Sequence, residues 1–179
     1  VGKMFTALAI EQEMKKRGFD ADFRATGQTG IFIAGSGVSI DAVVADFISG
    51  AVEWLCPENS ENHWDIVEGQ GSLFNVSYAG VTLGLIHGSQ PDALVVCHEA
   101  GRPHMRSMPH FPLIDLPTCI DVNLQAARLT NPDVRCVGAA INTSRLSEEE
   151  GRVFCDKISQ EIGLPAVDPL RDGVASLVD

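Results

Sequence analysis

Val1-Gly2-Lys3-Met4, with the apolar positions Phe5, Leu8, Ala9 and Met14 spaced behind it, is the stretch that decides how the remaining chain is read. Glycine then lysine at the mouth of a helix is how a phosphate-binding loop ends: backbone N–H groups at the helix start cradle an anion and the lysine ammonium reaches over it. Taken alone, the pair reads first as an ordinary helix start, so the other elements have to decide. The sequence does not open on an initiator Met, and it is expected to be the C-terminal part of a longer protein, with the first half of the loop upstream.

Outward from this stretch, a helix is predicted from Met4 to Arg17, with Lys15, Lys16 and Arg17 in its last turn and Gly18 as its stop. Ala21 to Thr26 reads as a strand, and Gly27 to Gly37 as a glycine-rich loop around Ile31-Phe32-Ile33. Ile40, Val43, Val44, Phe47, Ile48, Ala51, Val52 and Leu55 fall at i, i+3, i+4 and i+7, which predicts one amphipathic helix capped by Ser39. Trp64 to Glu68 reads as a strand running into Gly69-Gln70-Gly71, and a short segment follows around Val81 to Ile86. Ala93 to Cys97 and Arg135 to Ile141 read as strands of the buried type. Between them lie a Pro-rich connection over 99–117, of a length usually functional or disordered, and a helix from about Thr118 to Leu129. Ser147 and Glu150 make a capping box for a helix reaching Gly163. A strand, Pro165 to Val167, and a short terminal helix follow.

Apolar strands alternating with helices give an α/β fold, a parallel sheet flanked by helices on both faces. The order starts on a helix, so a first strand is expected ahead of Val1, missing from this chain. Strand, Gly-Lys loop and helix constitute a P-loop unit, and residues 1–179 read as one P-loop NTPase-like domain. Thirteen basic against twenty-four acidic residues leave a net charge of -11, which repels nucleic acid and anionic membrane surfaces. Five scattered cysteines without a C-x-x-C argue for reduced thiols in a cytoplasm. No apolar run approaches a membrane span.

In open α/β sheets ligands sit outside the carboxyl ends of the strands. Glu68, Gly69 and Gln70 follow one strand, His98 and Glu99 the next, and Asn142 and Thr143 the third. Each has a plain structural reading, as a turn cap, a half-buried histidine or turn chemistry; their convergence beside Lys3 points to a site. Where a nucleotide hydrolase needs a hydroxyl to ligate Mg²⁺, the position after the lysine holds Met4; Thr6 is a poor substitute. Such a loop suits a diphosphate that is held and not broken, as in coenzyme A. Arg102, His104, Arg106 and His110 make the 99–117 connection locally cationic, a clamp for carboxylates or phosphates. Asp41, at a helix start, and Asp46 are the remaining carboxylates to consider as metal partners.

The runs VGKM, FRATGQTGIFIAG, DAVVADFISGAVE, WDIVEGQGSLF, HGSQPDALVVCHE, NLQAARLTNP and INTSRLSEEE resemble the C-terminal P-loop domain of the bacterial D-glutamate N-acetyltransferase family, over essentially the whole chain. More remotely, Val67-Glu68-Gly69 and the Gly-Lys loop are similar to dethiobiotin synthetase, whose corresponding Glu is a metal ligand. The resemblance implies an acyltransferase that moves an acetyl group from acetyl-CoA to the amino group of D-glutamate, with a further α/β domain ahead of this one. On that reading Glu68 and His98 are candidate general bases. Gly2, Lys3, Met4, Asn142 and Thr143 face acetyl-CoA, and Gln70, Arg102, His104 and Arg106 face the amino acid. Two alternatives stand beside it: a Mg-ATP-dependent ligase or kinase with Asp41 and Glu68 on the metal, and a non-catalytic P-loop scaffold. A homo-oligomer is expected, because many P-loop proteins of this kind pair their sites across a dimer.

Overall fold

The computed structural model describes all residues, 1–179. Helix α1 (Lys3–Lys16) leads into β1 (Asp20–Arg24), which pairs in parallel with β2 (His63–Val67), Asp20 opposite His63 and Arg24 opposite Val67. A second parallel piece has β6 (Arg135–Asn142) at its centre, with β3 (Ala93–Glu99) on one side and the short β7 (Ala166–Val167) on the other. No ladder joins β2 to β3; helices join the two pieces instead. On one face Ala9 and Ile10 of α1 pack with Val95 and Cys97 of β3, while Glu11 Oε1 accepts the Phe23 N–H of β1 at 3.2 Å. On the other face α4 (Ala79–Ser89) places Val81 and Leu85 with Val67 of β2, and Ile86 with Leu94 of β3. Residues 95 and 97 thus meet one layer and residue 94 the other, as strand alternation requires.

The remaining elements complete the two helical layers: α2 (Gln28–Ala34), α3 (Ile48–Leu55), α5 (Leu116–Ala127), α6 (Glu148–Ile162) and α7 (Ala175–Val178). The largest core cluster sets Ala139 and Ile141 of β6 against Leu116 of α5 and Cys155 and Ile158 of α6. The capping box at the start of α6 is present, Ser147 Oγ accepting from the Glu150 N–H and the Glu150 carboxylate accepting from the Ser147 N–H. No helix is long and apolar enough to cross a membrane.

Four expectations change. Ile31 to Ile33 lie in α2, a helix inside the stretch read as loop. The single helix over 40–55 is two one-turn 3₁₀ segments, Ile40–Ala42 and Ala45–Phe47, followed by α3. Its break falls at Val43 and Val44, whose ψ angles of 137° and 135° are extended; β-branched neighbours are weak helix formers and adopt that conformation readily. Ser39 makes no backbone cap, and its hydroxyl donates to Asp41 at 2.9 Å. The Pro-rich connection holds an antiparallel hairpin, β4 (His104–Met105) with β5 (Met108–Pro112).

Candidate functional site

Gly2 caps α1 with φ +95°, a left-handed conformation that favours glycine. Its carbonyl accepts both the Thr6 N–H at 2.9 Å and the Thr6 hydroxyl at 3.0 Å, so Thr6 is tied to the helix itself. No side chain caps α1 and no acid stands in its first turn, which leaves the positive end of the helix dipole open to an anion. Lys3 crosses from α1 to the loop after β2, where Nζ donates to the Gly71 carbonyl at 3.2 Å. Burial holds its pKa below the usual lysine value, and the nearby Arg102 acts in the same direction. Met4 is half-buried on the same first turn.

More cations gather at the end of β3. Glu99 is held from both sides, by Arg102 Nη1 at 3.2 Å and by Arg145 Nη2 at 3.1 Å. Arg102 Nε is buried and has no hydrogen-bond partner. Arg102 and Arg145 thus share the Glu99 carboxylate, Lys3 lies near Arg102, and one buried guanidinium donor is left over. A planar guanidinium with a free N–H is suited to phosphate or carboxylate oxygens.

Glu68 is buried just past β2, and its Oε2 accepts the backbone N–H groups of Thr26 at 3.0 Å and Gly27 at 3.1 Å. The Thr26 hydroxyl answers by donating to the Glu68 carbonyl at 2.6 Å. The carboxylate therefore sits at the N-terminus of α2 and supplies the cap that the local sequence lacks. Gly30 leaves no room beside it, since a Cβ there would overlap Glu68 Oε2, while one on Gly27 would press on the flexible end of Gln70. Gln70 consequently lies over the same loop, and its carbonyl accepts the Thr82 hydroxyl at 2.8 Å.

The structure brings Lys3, with Gly2 and Met4 on the same helix start, together with Glu68, Gln70 and Arg102, and turns the side chains of the other predicted residues to other partners. His98, one residue after Cys97 on β3, has its ring parallel to Phe154 of α6 with centroids 6.2 Å apart, on the face opposite α1. Burial, helped by Arg102, lowers its pKa below the ordinary histidine value. Thr143 is fully buried, its N–H and hydroxyl both donating to Asp168 Oδ2, so its side chain presents nothing to a ligand. Asn142 turns its Oδ1 to the Ser144 N–H at 3.0 Å. His104 lies within hydrogen-bond distance of the Met105 carbonyl, 3.0 Å from Nδ1, and Arg106 is exposed in the turn of the hairpin. Asp41 is exposed, and no three His, Cys, Asp or Glu side chains gather as a metal site. Arg145 and Asp168 are the additions, and Glu99, noted in the sequence only as a strand-end residue, is the carboxylate that two arginines hold. Arg145, three positions past Asn142 in a run of turn residues, carries only the local signal of a cation near a strand end.

Residues 1–178 match the family model described as a domain of unknown function, DUF1611_C, P-loop domain. The chain belongs to this family. Among curated relatives of the DUF1611 P-loop domain, a D-glutamate N-acetyltransferase from Pseudoalteromonas sp is 58% identical over 178 residues, covering 99% of this chain and 54% of the relative. A D-glutamate N-acetyltransferase from Tritonibacter scottomollicae is 53% identical over 179 residues, again 54% of its length. The chain spans about half the length of the curated relatives it matches. A crystal structure of a DUF1611 family protein from Anabaena variabilis superposes on the whole chain with a TM-score of 0.94 at 39% identity, covering 53% of that protein.

Proposed function

We propose that this P-loop domain is the anion-holding half of an N-acetyltransferase that moves the acetyl group of acetyl-CoA to the amino group of D-glutamate. The observation that carries the reading is the cation group itself: Arg102 and Arg145 on one carboxylate, Lys3 near Arg102 at a helix N-terminus with no side-chain cap, and Arg102 Nε buried and unpartnered. Acetyl-CoA is rich in phosphate and D-glutamate carries two carboxylates, so both substrates need such donors. Lys3 and the first turn of α1 would hold the diphosphate, and Arg102 and Arg145 a carboxylate. Met4, in the place of a metal-ligating hydroxyl, supports holding a diphosphate over breaking one. The names of the relatives supply the acyl acceptor. All five cysteines are free, which supports a reducing, cytoplasmic setting.

The reaction needs the glutamate ammonium to give up a proton; its nitrogen then bonds to the thioester carbonyl carbon. The C–S bond breaks and the departing thiolate takes up a proton. Of the two candidate bases, Glu68 already has Oε2 engaged by two backbone N–H groups as the cap of α2. His98 is kept neutral by burial and Arg102, the state a base requires, and serves an acceptor bound on the α6 side of β3. Thiol release from acetyl-CoA, followed with D-glutamate and then L-glutamate on the protein at its natural length, tests the reading. His98→Ala lowers the rate about 100-fold or more. The acid limb of the wild-type pH profile falls below about pH 6.5, because the His98 pKa is lowered, and it vanishes in the variant. Tight metal-dependent ATP binding with no affinity for coenzyme A would sink the proposal.

A further inference from the structure

Asn142-Thr143-Ser144-Arg145-Leu146-Ser147 joins β6 to α6 and carries the Arg145 side chain, 65% exposed, to Glu99. A long exposed side chain on a loose turn samples many directions. This turn is pinned at both ends by the segment between β7 and α7. At its start, Asp168 Oδ2 accepts the Thr143 N–H at 3.0 Å and the Thr143 hydroxyl. At its end, Arg171 donates through Nη2 to the Leu146 carbonyl at 2.9 Å and through Nη1 to the Ser147 carbonyl at 3.0 Å. The Leu146 N–H closes the turn on the Thr143 carbonyl at 2.9 Å.

The clamp is itself anchored. Asp168 is buried, its other oxygen accepts the N–H groups of Leu170 at 2.9 Å and Arg171 at 3.3 Å, and Val174 and Leu177 beyond it pack on Ala140 of β6. Both carboxylate oxygens face donors, a duty that an ionised carboxylate fills and an amide cannot. Burial opposes its charge, but the hydrogen bonds from Thr143 and the neighbouring backbone outweigh burial and hold its pKa below the usual carboxylate value. The first turn of α6 closes on the same clamp: a Cβ on Gly151 would lie 2.9 Å from Arg171 Nη1 and 2.9 Å from Thr143 Oγ1. The structure assigns Asp168 and Arg171 as positioning residues that act through Arg145, fixing the direction of its guanidinium and so the affinity for the acceptor's carboxylate. The inference rests on the carboxylate-holding role of Arg145 in the proposed reaction. None of the clamp's bonds ends on Lys3 or the first turn of α1, so it leaves the coenzyme end of the site alone.

Thiol release from acetyl-CoA, on the protein at its natural length, tests this with Arg145→Ala, Arg171→Ala and the two together. Arg171 is exposed, so its truncation leaves the core closed and the melting temperature near that of the wild type. Each single change raises the KM for D-glutamate about ten-fold or more, with the KM for acetyl-CoA unchanged. The double variant is no worse than Arg145→Ala alone, because a group that acts through Arg145 then has nothing left to position. Arg171→Lys, which still donates to a carbonyl, recovers part of the loss, and Asp168→Asn reproduces the effect from the other end of the turn. Single effects that add in the double variant, or a KM for D-glutamate unmoved by Arg171→Ala, overturn the inference. Trypsin gives a readout independent of the reaction: cleavage after Arg145, followed by mass spectrometry, is about ten-fold faster in Arg171→Ala as the turn opens locally, and equal rates overturn the clamp. A wild type that transfers no acetyl group to D-glutamate contradicts the proposed function, while the cleavage rates still decide the clamp.

Discussion

Glu68 and Lys3 face each other across the loop that ends β2, and their roles divide by what each has left to offer. Oε2 of Glu68 is engaged with two backbone N–H groups, so its first duty is to hold α2 in place. Lys3 makes one hydrogen bond, to a carbonyl, and keeps two N–H donors for an anion. Lys3→Ala therefore raises the KM for acetyl-CoA about 10- to 100-fold, since a hydrogen bond to a charged group contributes roughly 1.5–3 kcal/mol, and acts mainly on binding. Gly30→Ala does the reverse. Its new Cβ would overlap Glu68 Oε2, and the displacement costs about 1–3 kcal/mol, read as a lower denaturation midpoint. Gly2 and Lys3 were legible in the sequence because a helix start is local. The capping role of Glu68 was not, because its partners Thr26 and Gly27 stand 42 and 41 positions away.

The same distinction separates the elements. α6 carries its own signals, a capping box at Ser147 and Gly163 in the left-handed conformation at its end, and its sequence reading agrees with the structure. Ser147→Ala lowers stability by about 1 kcal/mol in a thermal melt. α2 has its cap on a distant strand, and the 40–55 segment breaks at two valines although its apolar spacing is helical throughout. Periodicity reports which positions are apolar, not what covers them. That is why Val44 and Phe47 read as core and emerge on the surface.

The β1–β2 pair shows a further element-level bond that spacing cannot reveal. His63 opens β2 between Asp20 at 3.0 Å and Asp65 at 3.2 Å, and the hydrogen bond its ring donates to Asp20 raises its pKa above the usual histidine value. A raised histidine contributes stability that is full below its unfolded pKa of about 6.5 and is lost as pH rises through the higher folded value. Urea midpoints should thus fall as pH rises from about 6.5, and His63→Gln should flatten that dependence.

Across the whole molecule, the parallel α/β architecture and the gathering of polar groups at the carboxyl edge followed from the order of elements alone. Which of those groups share one site did not, since that depends on the face to which each residue turns. Cys97 meets α1 and His98 meets α6; Thr143 is sealed against Asp168; Arg145 joins Arg102 on Glu99. In a chain of net charge -11, two arginines on one carboxylate with Lys3 near Arg102 make a local exception to the acidic surface. Calorimetric titration with coenzyme A, of the wild type and of Lys3→Ala with Arg102→Ala, tests that exception most directly. Binding by the wild type that weakens about 100-fold or more in the double variant, with both proteins equally folded, is the predicted result. Equal affinity in the two proteins would contradict the account.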